Sequence, residues 1–250
     1  MRRILPALLF LGLLTAASGL ASGATSRWRL DLENGLTWAG YCDVQIPKST
    51  GTMFSLTDDF KAKASYFLRL RLSYQLHPRH SLSLLYAPLS LTASGPTPAA
   101  IWFNGDYFAA QTEVEGFYKF NSYRLTYRYE LVNRAKWKAG IGFTAKIRDA
   151  AIRLKSASLS SEKTNIGFVP LIHFRVEWTP TANVGFLLEG DALAAPQGRA
   201  EDVALLLLYR IGRTISLKAG YRLVEGGANV EEVKNFALIH YAAVGLVVDF

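Results

Sequence analysis

The chain has 250 residues, 50% hydrophobic, 12% aromatic and 19% charged, with a formal charge of +8. That apolar content excludes a disordered chain, and 20 aperiodic Gly with a single Cys exclude collagen-like and disulfide-stapled classes. The 28 basic residues are interleaved with Tyr, Phe and Leu rather than clustered, so nucleic acid is not the expected partner.

Met1-Arg2-Arg3 is a short basic segment, and Ile4 to Leu14 is almost wholly apolar. This is the length of an export-leader core and too short to cross a bilayer. Ser22-Gly23-Ala24 fits a small-x-small cleavage site. Residues 1–24 are therefore expected to be a signal peptide, and 25–250 one domain. Loss of Arg2 and Arg3 lowers the formal charge to +6. Cys42 then stands alone in an exported chain and reads as a small apolar residue.

Beyond the leader the apolar period is two. Trp28 to Gly40 sets Trp28, Leu30, Leu32, Leu36 and Trp38 against Arg29, Asp31 and Glu33. Tyr66 to Leu76 places every apolar residue at an even position except Phe67. Such segments are strands with one apolar and one polar face. Ser81 to Ala93 alternates too, with a phase slip at Leu84-Leu85 that predicts a bulge beside Pro88. Further strands follow at 117–131, 137–150, 168–178, 184–194, 203–211, 214–224 and 235–250. The count is about ten, each long enough to cross a membrane at a tilt, with eight as the alternative.

The connections alternate in length. Short ones fall at 77–80, 132–136, 179–182 and 212–213, and long ones at 42–62, 94–116, 151–165, 195–199 and 225–234. This predicts an all-β, closed, antiparallel up-and-down transmembrane barrel with short periplasmic turns and longer external loops. Trp28, Tyr74, Tyr129, Trp137, Trp178 and Tyr209 fall on the apolar parity near the short turns. They form the expected aromatic girdle.

The chain ends Leu246-Val247-Val248-Asp249-Phe250, an alternating strand closed by an aromatic residue. In this it resembles the bacterial outer-membrane β-barrel superfamily, although Val248 stands where Tyr is frequent. The resemblance covers nearly all of residues 27–250 and is architectural, without naming one functional family. It implies the outer membrane of a Gram-negative-type bacterium, contact with outer-membrane lipids and lipopolysaccharide, and a last strand read by the barrel-assembly machinery at Phe250.

The polar parity sends a charged set inward. Its bases are Arg29, Arg69, Arg71, Arg124, Arg128, Lys138, Lys146, Arg148, Arg175, Arg210, Lys218 and Arg222; its acids are Asp31, Glu33, Glu130, Glu177, Glu189, Asp191 and Asp202. About ten strands enclose a narrow lumen, which long side chains would largely fill. Hairpin register places Glu130 opposite Lys138, Asp202 opposite Arg222, Asp191 beside Asp202, and His173 near Glu189, to within about two residues. His173, Glu189, Asp191, Asp202 and Arg222 are the candidate catalytic cluster, because paired carboxylates, a His and an Arg can move protons and hold an oxyanion. The bland reading is a satisfied ionic network.

His240 falls on the lipid-facing parity, without an obvious Ser or acid beside it. Nothing in the sequence marks a metal or cofactor site. Three functions follow from these observations. The first is a structural or narrow, porin-like, anion-leaning barrel with a charged lumen and no apolar pocket. The second is an enzyme acting on lipopolysaccharide, phospholipid or peptide. The third is surface recognition through external loops, especially 94–116 with Trp102, Phe103 and Tyr107.

Overall fold

The computed structural model describes residues 26–250; the leader assigned to residues 1–24 lies outside the described residues. Ten long strands form the wall: β1 Trp28–Gln45, β2 Ser65–His77, β3 His80–Ala87, β4 Glu113–Asn133, β5 Trp137–Lys155, β6 Ser160–Trp178, β7 Val184–Ala195, β8 Gly198–Arg210, β9 Ile215–Val230 and β10 Val233–Asp249. Each pairs antiparallel with its neighbours in the chain. β10 returns to β1, from Arg29↔Asp249 to Gln45↔Lys234, and closes the barrel. Closure pairs the first strand with the last and so removes the two free edges that an open sheet would expose to hydrocarbon. The wall therefore has ten strands, not eight, and the described residues contain no helix.

The alternation decides which way each strand faces. Leu84, Leu125, Phe143, Phe168, Leu205 and Val244 are exposed on the outside, while Arg69, Arg124, Lys218 and Arg222 are buried inside. This inversion of the usual globular order marks a barrel of the outer-membrane type.

Four details depart from the expectations. The bulge at Leu84-Leu85 is absent. β3 resumes after Pro88 as Ser90–Pro96, and both pieces keep one register against β4, from Ala87↔Ser122 to Ser90↔Lys119. Leu85 is an apolar residue turned into the lumen, not the mark of a slip. The register shift that matters lies in β1, between Ala39 and Tyr41. Below it Glu33 and Thr37 point inward; above it Cys42 and Val44 do.

Two expected loops are strands. β5 and β6 run on to Lys155 and Ser160, and β9 and β10 to Val230 and Val233, so both connections are projecting hairpins. The register of the ionic pairs moves by two positions and keeps its face. Glu130 lies opposite Gly140, Asp202 opposite Val224, and His173 opposite Asp191.

The largest correction concerns the lumen. Its outer part is not charge-lined throughout. Phe54, Leu56 and Phe60 from one external loop and Ile101, Phe103 and Phe108 from the next are buried against Cys42, Val44, Leu91 and Leu154. The β1 bulge turns Cys42 and Val44 inward, and the two loops fold onto that apolar surface. Strand parity carried straight through a bulge cannot reveal such a layer.

Candidate functional site: the ionic layer and the outer vestibule

Arg222 on β9 stands at the centre of the middle lumen. Its Nε donates to Glu33 Oε1 at 2.7 Å, its Nη1 to Asp202 Oδ1 at 2.6 Å and its Nη2 to Glu189 Oε1 at 3.3 Å. Arg69 Nη2 reaches Asp202 Oδ2 at 2.8 Å, and Arg71 Nη1 reaches Glu189 Oε2 at 2.9 Å. Lys218 Nζ lies 2.7 Å from Glu33 Oε2 and 2.5 Å from Asp31 Oδ1. β1, β2, β7, β8 and β9 therefore each send a charge to one level. Their inward parity put these groups there, and mutual neutralisation makes their burial tolerable.

Asp191 and Asp202 face each other in register across β7 and β8. Arg124 bridges them, with Nη1 2.6 Å from Asp191 Oδ2 and Nη2 2.7 Å from Asp202 Oδ2. Asp191 Oδ1 also accepts from Thr144 Oγ1 at 2.6 Å and meets His173 Nδ1 at 3.0 Å. The five residues of the candidate cluster thus share one layer. His173 engages Asp191, while Glu189 engages Arg71 and Arg222. Every one of these carboxylates is saturated by cations or donors, which is the geometry of a network and leaves no acid free to transfer a proton. Thr144, Arg69 and Glu33 belong to this layer too. Cross-barrel partners carry no signal in a single sequence, because the strands that bring them together are distant in the chain.

Toward the short turns lies a second charged layer. Glu177 accepts from Arg175 Nη2 and Arg210 Nη2, both at 2.7 Å, and Arg128 Nε donates to Glu130 at 2.9 Å. Arg128, Glu130, Arg175 and Glu177, with Lys138, line an inner vestibule of about 330 Å³. An outer vestibule of about 780 Å³ lies on the other side of the middle layer, lined by Phe120, Lys146, Arg148, Leu193, Val224 and Ile239. A void of about 10 Å³ among Glu33, Arg71, Glu189 and Arg222 remains in the middle layer itself. That is the room of about one water molecule.

The predicted girdle residues sit at the short-turn end. Trp28 and Tyr74 pair at 4.6 Å between ring centroids, and Trp137 and Trp178 at 5.8 Å. Tyr209 is exposed on the outside of β8, and Tyr129 packs against His80 at 5.0 Å. Phe250 is held at the closing seam, exchanging backbone hydrogen bonds of 2.9 Å with Trp28.

Further exposed aromatics on the outer face, not foreseen in the sequence, are Trp38, Tyr66, Tyr86, Tyr123 and Tyr221. His240 lies between two of them, Trp38 and Tyr221. Its ring stacks on Trp38 at 5.5 Å and its Nδ1 contacts the Tyr221 hydroxyl. A Cβ at position 40 would lie 2.4 Å from His240 Nε2, so Gly40 at the β1 bulge makes room for the imidazole. Toward the hairpin that joins β9 to β10, Glu225 accepts from Arg199 Nε at 2.7 Å and from the Tyr41 hydroxyl. Burial works to raise the Glu225 pKa, but the hydrogen bonds from Arg199 and Tyr41 outweigh it and hold the carboxyl below its ordinary value.

No protein-family model matches the chain, and no curated protein matches it in sequence. Solved structures do resemble it. The outer membrane protease OmpT from Escherichia coli superposes with a TM-score of 0.60 at 8% identity, covering 93% of this chain and 100% of that one. The COG4313 outer membrane channel from Pseudomonas putida F1 gives 0.44 at 11% identity, covering 93% and 98%. The translocator domain of the autotransporter NalP from Neisseria meningitidis gives 0.43 at 12%, covering 98% and 95%. At such identity the likeness to OmpT is one of fold, and the fold is that of the outer-membrane β-barrels.

Proposed function

We propose that the chain is an integral outer-membrane barrel with a structural role and a closed middle lumen, rather than a free pore. The carrying observation is the ionic layer around Arg222, which separates the two vestibules and leaves a void of about 10 Å³. In this reading the girdle residues anchor the barrel among lipids and lipopolysaccharide, and Phe250 presents the last strand to the assembly machinery. The saturated carboxylates support this reading over an enzymatic one.

Planar-bilayer recording of the refolded chain tests it. The expected trace has no conductance steps. Truncating the plug with Glu33→Ala should open a small leak favouring anions, because the remaining lumen charges are mostly basic. Frequent steps from the wild-type chain would overturn the closed reading.

One observation favours a second reading, surface recognition. The external hairpin Ile101–Phe103 and Asp106–Phe108 buries Ile101, Phe103 and Phe108 yet leaves Trp102 and Tyr107 about half exposed, their rings 4.9 Å apart. Trp102→Ser with Tyr107→Ser should abolish binding of expressing cells to a host or neighbour surface while leaving the folded barrel intact. Equal binding by both strains would remove this reading.

A further inference from the structure

The outer vestibule is open on one side. β6 pairs with β5 along its whole length, from Trp137↔Trp178 to Lys155↔Ser160. On its other edge it meets β7 in only seven pairs, ending at Ile172↔Ala192. β7 continues against β8 as far as Ala195↔Gly198. Residues 193–195 thus have a strand on one edge only, and so do residues 169–171 of β6. Pro170 lies among the latter and has no N–H to offer a partner. The wall is notched here.

The height of the notch matters. β7 begins at Val184, paired with Tyr209 of the inner girdle. At about 3.3 Å per residue and about 45° of tilt, Ala192 stands about 19 Å above it, within an apolar band about 25 Å tall. The lips are apolar and exposed, with Phe168 and Ile172 on β6 and Leu193 on β7. Unpaired backbone at membrane depth is tolerated where it lines a cavity. It does so here, since Phe168, Pro170, Leu193 and Ala195 all border the outer vestibule.

Behind the notch lies a cation without a counter-charge. Lys146 on β5 is 2% exposed, and its Nζ sits 4.4 Å from the centroid of the Phe120 ring. Among the described residues no carboxylate lies within 4 Å of that Nζ; Asp191 and Asp202, which border the same cavity, are already held by Arg124. Two positions further along β5, Arg148 has a buried Nε with no hydrogen-bond partner, and its Nη2 reaches Asn165. A buried positive charge without a partner is unfavourable. Ile152, Val224, Ala237 and Ile239 give the cavity apolar walls, and polar side chains such as Asn165, Gln197, Arg199 and Glu225 also border it.

We propose that the outer vestibule binds one acyl chain bearing an anionic headgroup, a carboxylate or a phosphate. The ligand enters from the outer leaflet through the notch between β6 and β7 and places its headgroup on Lys146 and Arg148. The apolar walls take the chain. This assignment goes beyond the closed-lumen reading and does not depend on it, since neither the notch nor Lys146 is part of the plug.

Photo-crosslinking of the full barrel in lipid nanodiscs, with palmitate carrying a diazirine on its chain, tests the proposal. Cross-links are expected on peptides holding Leu171, Leu193 and Ile239. Excess palmitate or palmitoyl lysophosphatidate should suppress them, and the stronger competitor identifies the headgroup. Hexadecanol and inorganic phosphate should not. Lys146→Met and Arg148→Gln should each lower labelling about tenfold, with the folded-barrel gel mobility unchanged. Arg148→Gln keeps the test decisive if Lys146→Met fails to fold. Suppression by hexadecanol as strong as by palmitate, suppression by phosphate alone, or wild-type labelling in the folded variants overturns the proposal. So do cross-links confined to lipid-facing positions such as Leu205 and Leu217.

Discussion

The two sides of the barrel are built differently. On the closing side β1 and β10 pair from the inner girdle to the far end of β1, with Trp38 opposite His240 and Gln45 opposite Lys234. On the far side β6 and β7 stop pairing at Ile172 and Ala192. Both walls carry apolar residues outward and charges inward, so composition does not separate them. What differs is the length of shared register. β7 and β8 turn back at Pro196-Gln197, whereas β5 and β6 continue to Lys155 and Ser160. A short hairpin beside a long one leaves part of the long one without a partner. The contrast teaches that in a barrel the rim profile, set by hairpin length, decides where the interior meets the membrane.

The largest effect should come from the layer that both sides share. Arg222→Ala strips Glu33, Asp202 and Glu189 of a common partner and should destabilise the barrel by about 3–5 kcal/mol. Urea titration of refolding into lipid vesicles would measure it. A loss under about 1 kcal/mol would mean that the ionic layer merely fills space.

Glycine substitutions set the two walls against each other. Gly35 on the closing wall has φ +144°, and a Cβ there would lie 2.1 Å from the Ala242 carbonyl oxygen. Gly35→Ala should therefore cost about 1–3 kcal/mol. At Gly167, near the notch, the nearest atom to a Cβ is the Arg148 Nη2, the end of a flexible side chain, at 2.9 Å. Gly167→Ala should cost less, by the same titration. Equal losses at the two sites would erase the distinction between a packed wall and an open one.

Hydrogen exchange sharpens the contrast without mutation. Amides of residues 163–171 on β6 should exchange before those of residues 29–37 on β1, because the former have a strand on one edge only and the latter on both. Matching protection along both segments would show the notch closed in the membrane.

The smallest effect is electrostatic and lies at the rim. The folded Glu225 carboxyl titrates below its unfolded value, so its contribution is complete above the ordinary glutamate pKa of about 4.3 and is lost as pH falls through the folded value. Its partner Arg199 is largely solvated, so screening by water keeps the pair's contribution small. Proteolysis of the external hairpins should rise modestly on acidification from pH 6 toward pH 3, and Glu225→Gln should flatten that dependence. An unchanged profile in the variant would assign the response to other groups.

Much of the architecture was legible because a membrane strand has only two faces. The period-two alternation of Trp28–Gln45 or Ser65–His77 assigns each side chain to lipid or lumen, and the order of short and long connections gives the up-and-down path. The inward direction of Arg69, Arg124, Lys146 and Arg222 followed from that parity alone. Their partners did not. Arg222 on β9 meets Glu33 on β1 past the closing seam of β1 and β10, 189 positions apart in the chain, and no local pattern encodes such a distance.

The sequence by itself determined an up-and-down barrel of about ten strands and the inversion of its polar and apolar faces, since both follow from local period and turn spacing; the structure settled the count at ten rather than eight. Only the tertiary structure decided three other matters. These are the parity flip at Gly40, the inward fold of the loops carrying Phe54 and Phe103, and the edge that β6 does not share with β7. Each depends on how far one strand continues beside another, and that is a property of pairs of segments rather than of either one.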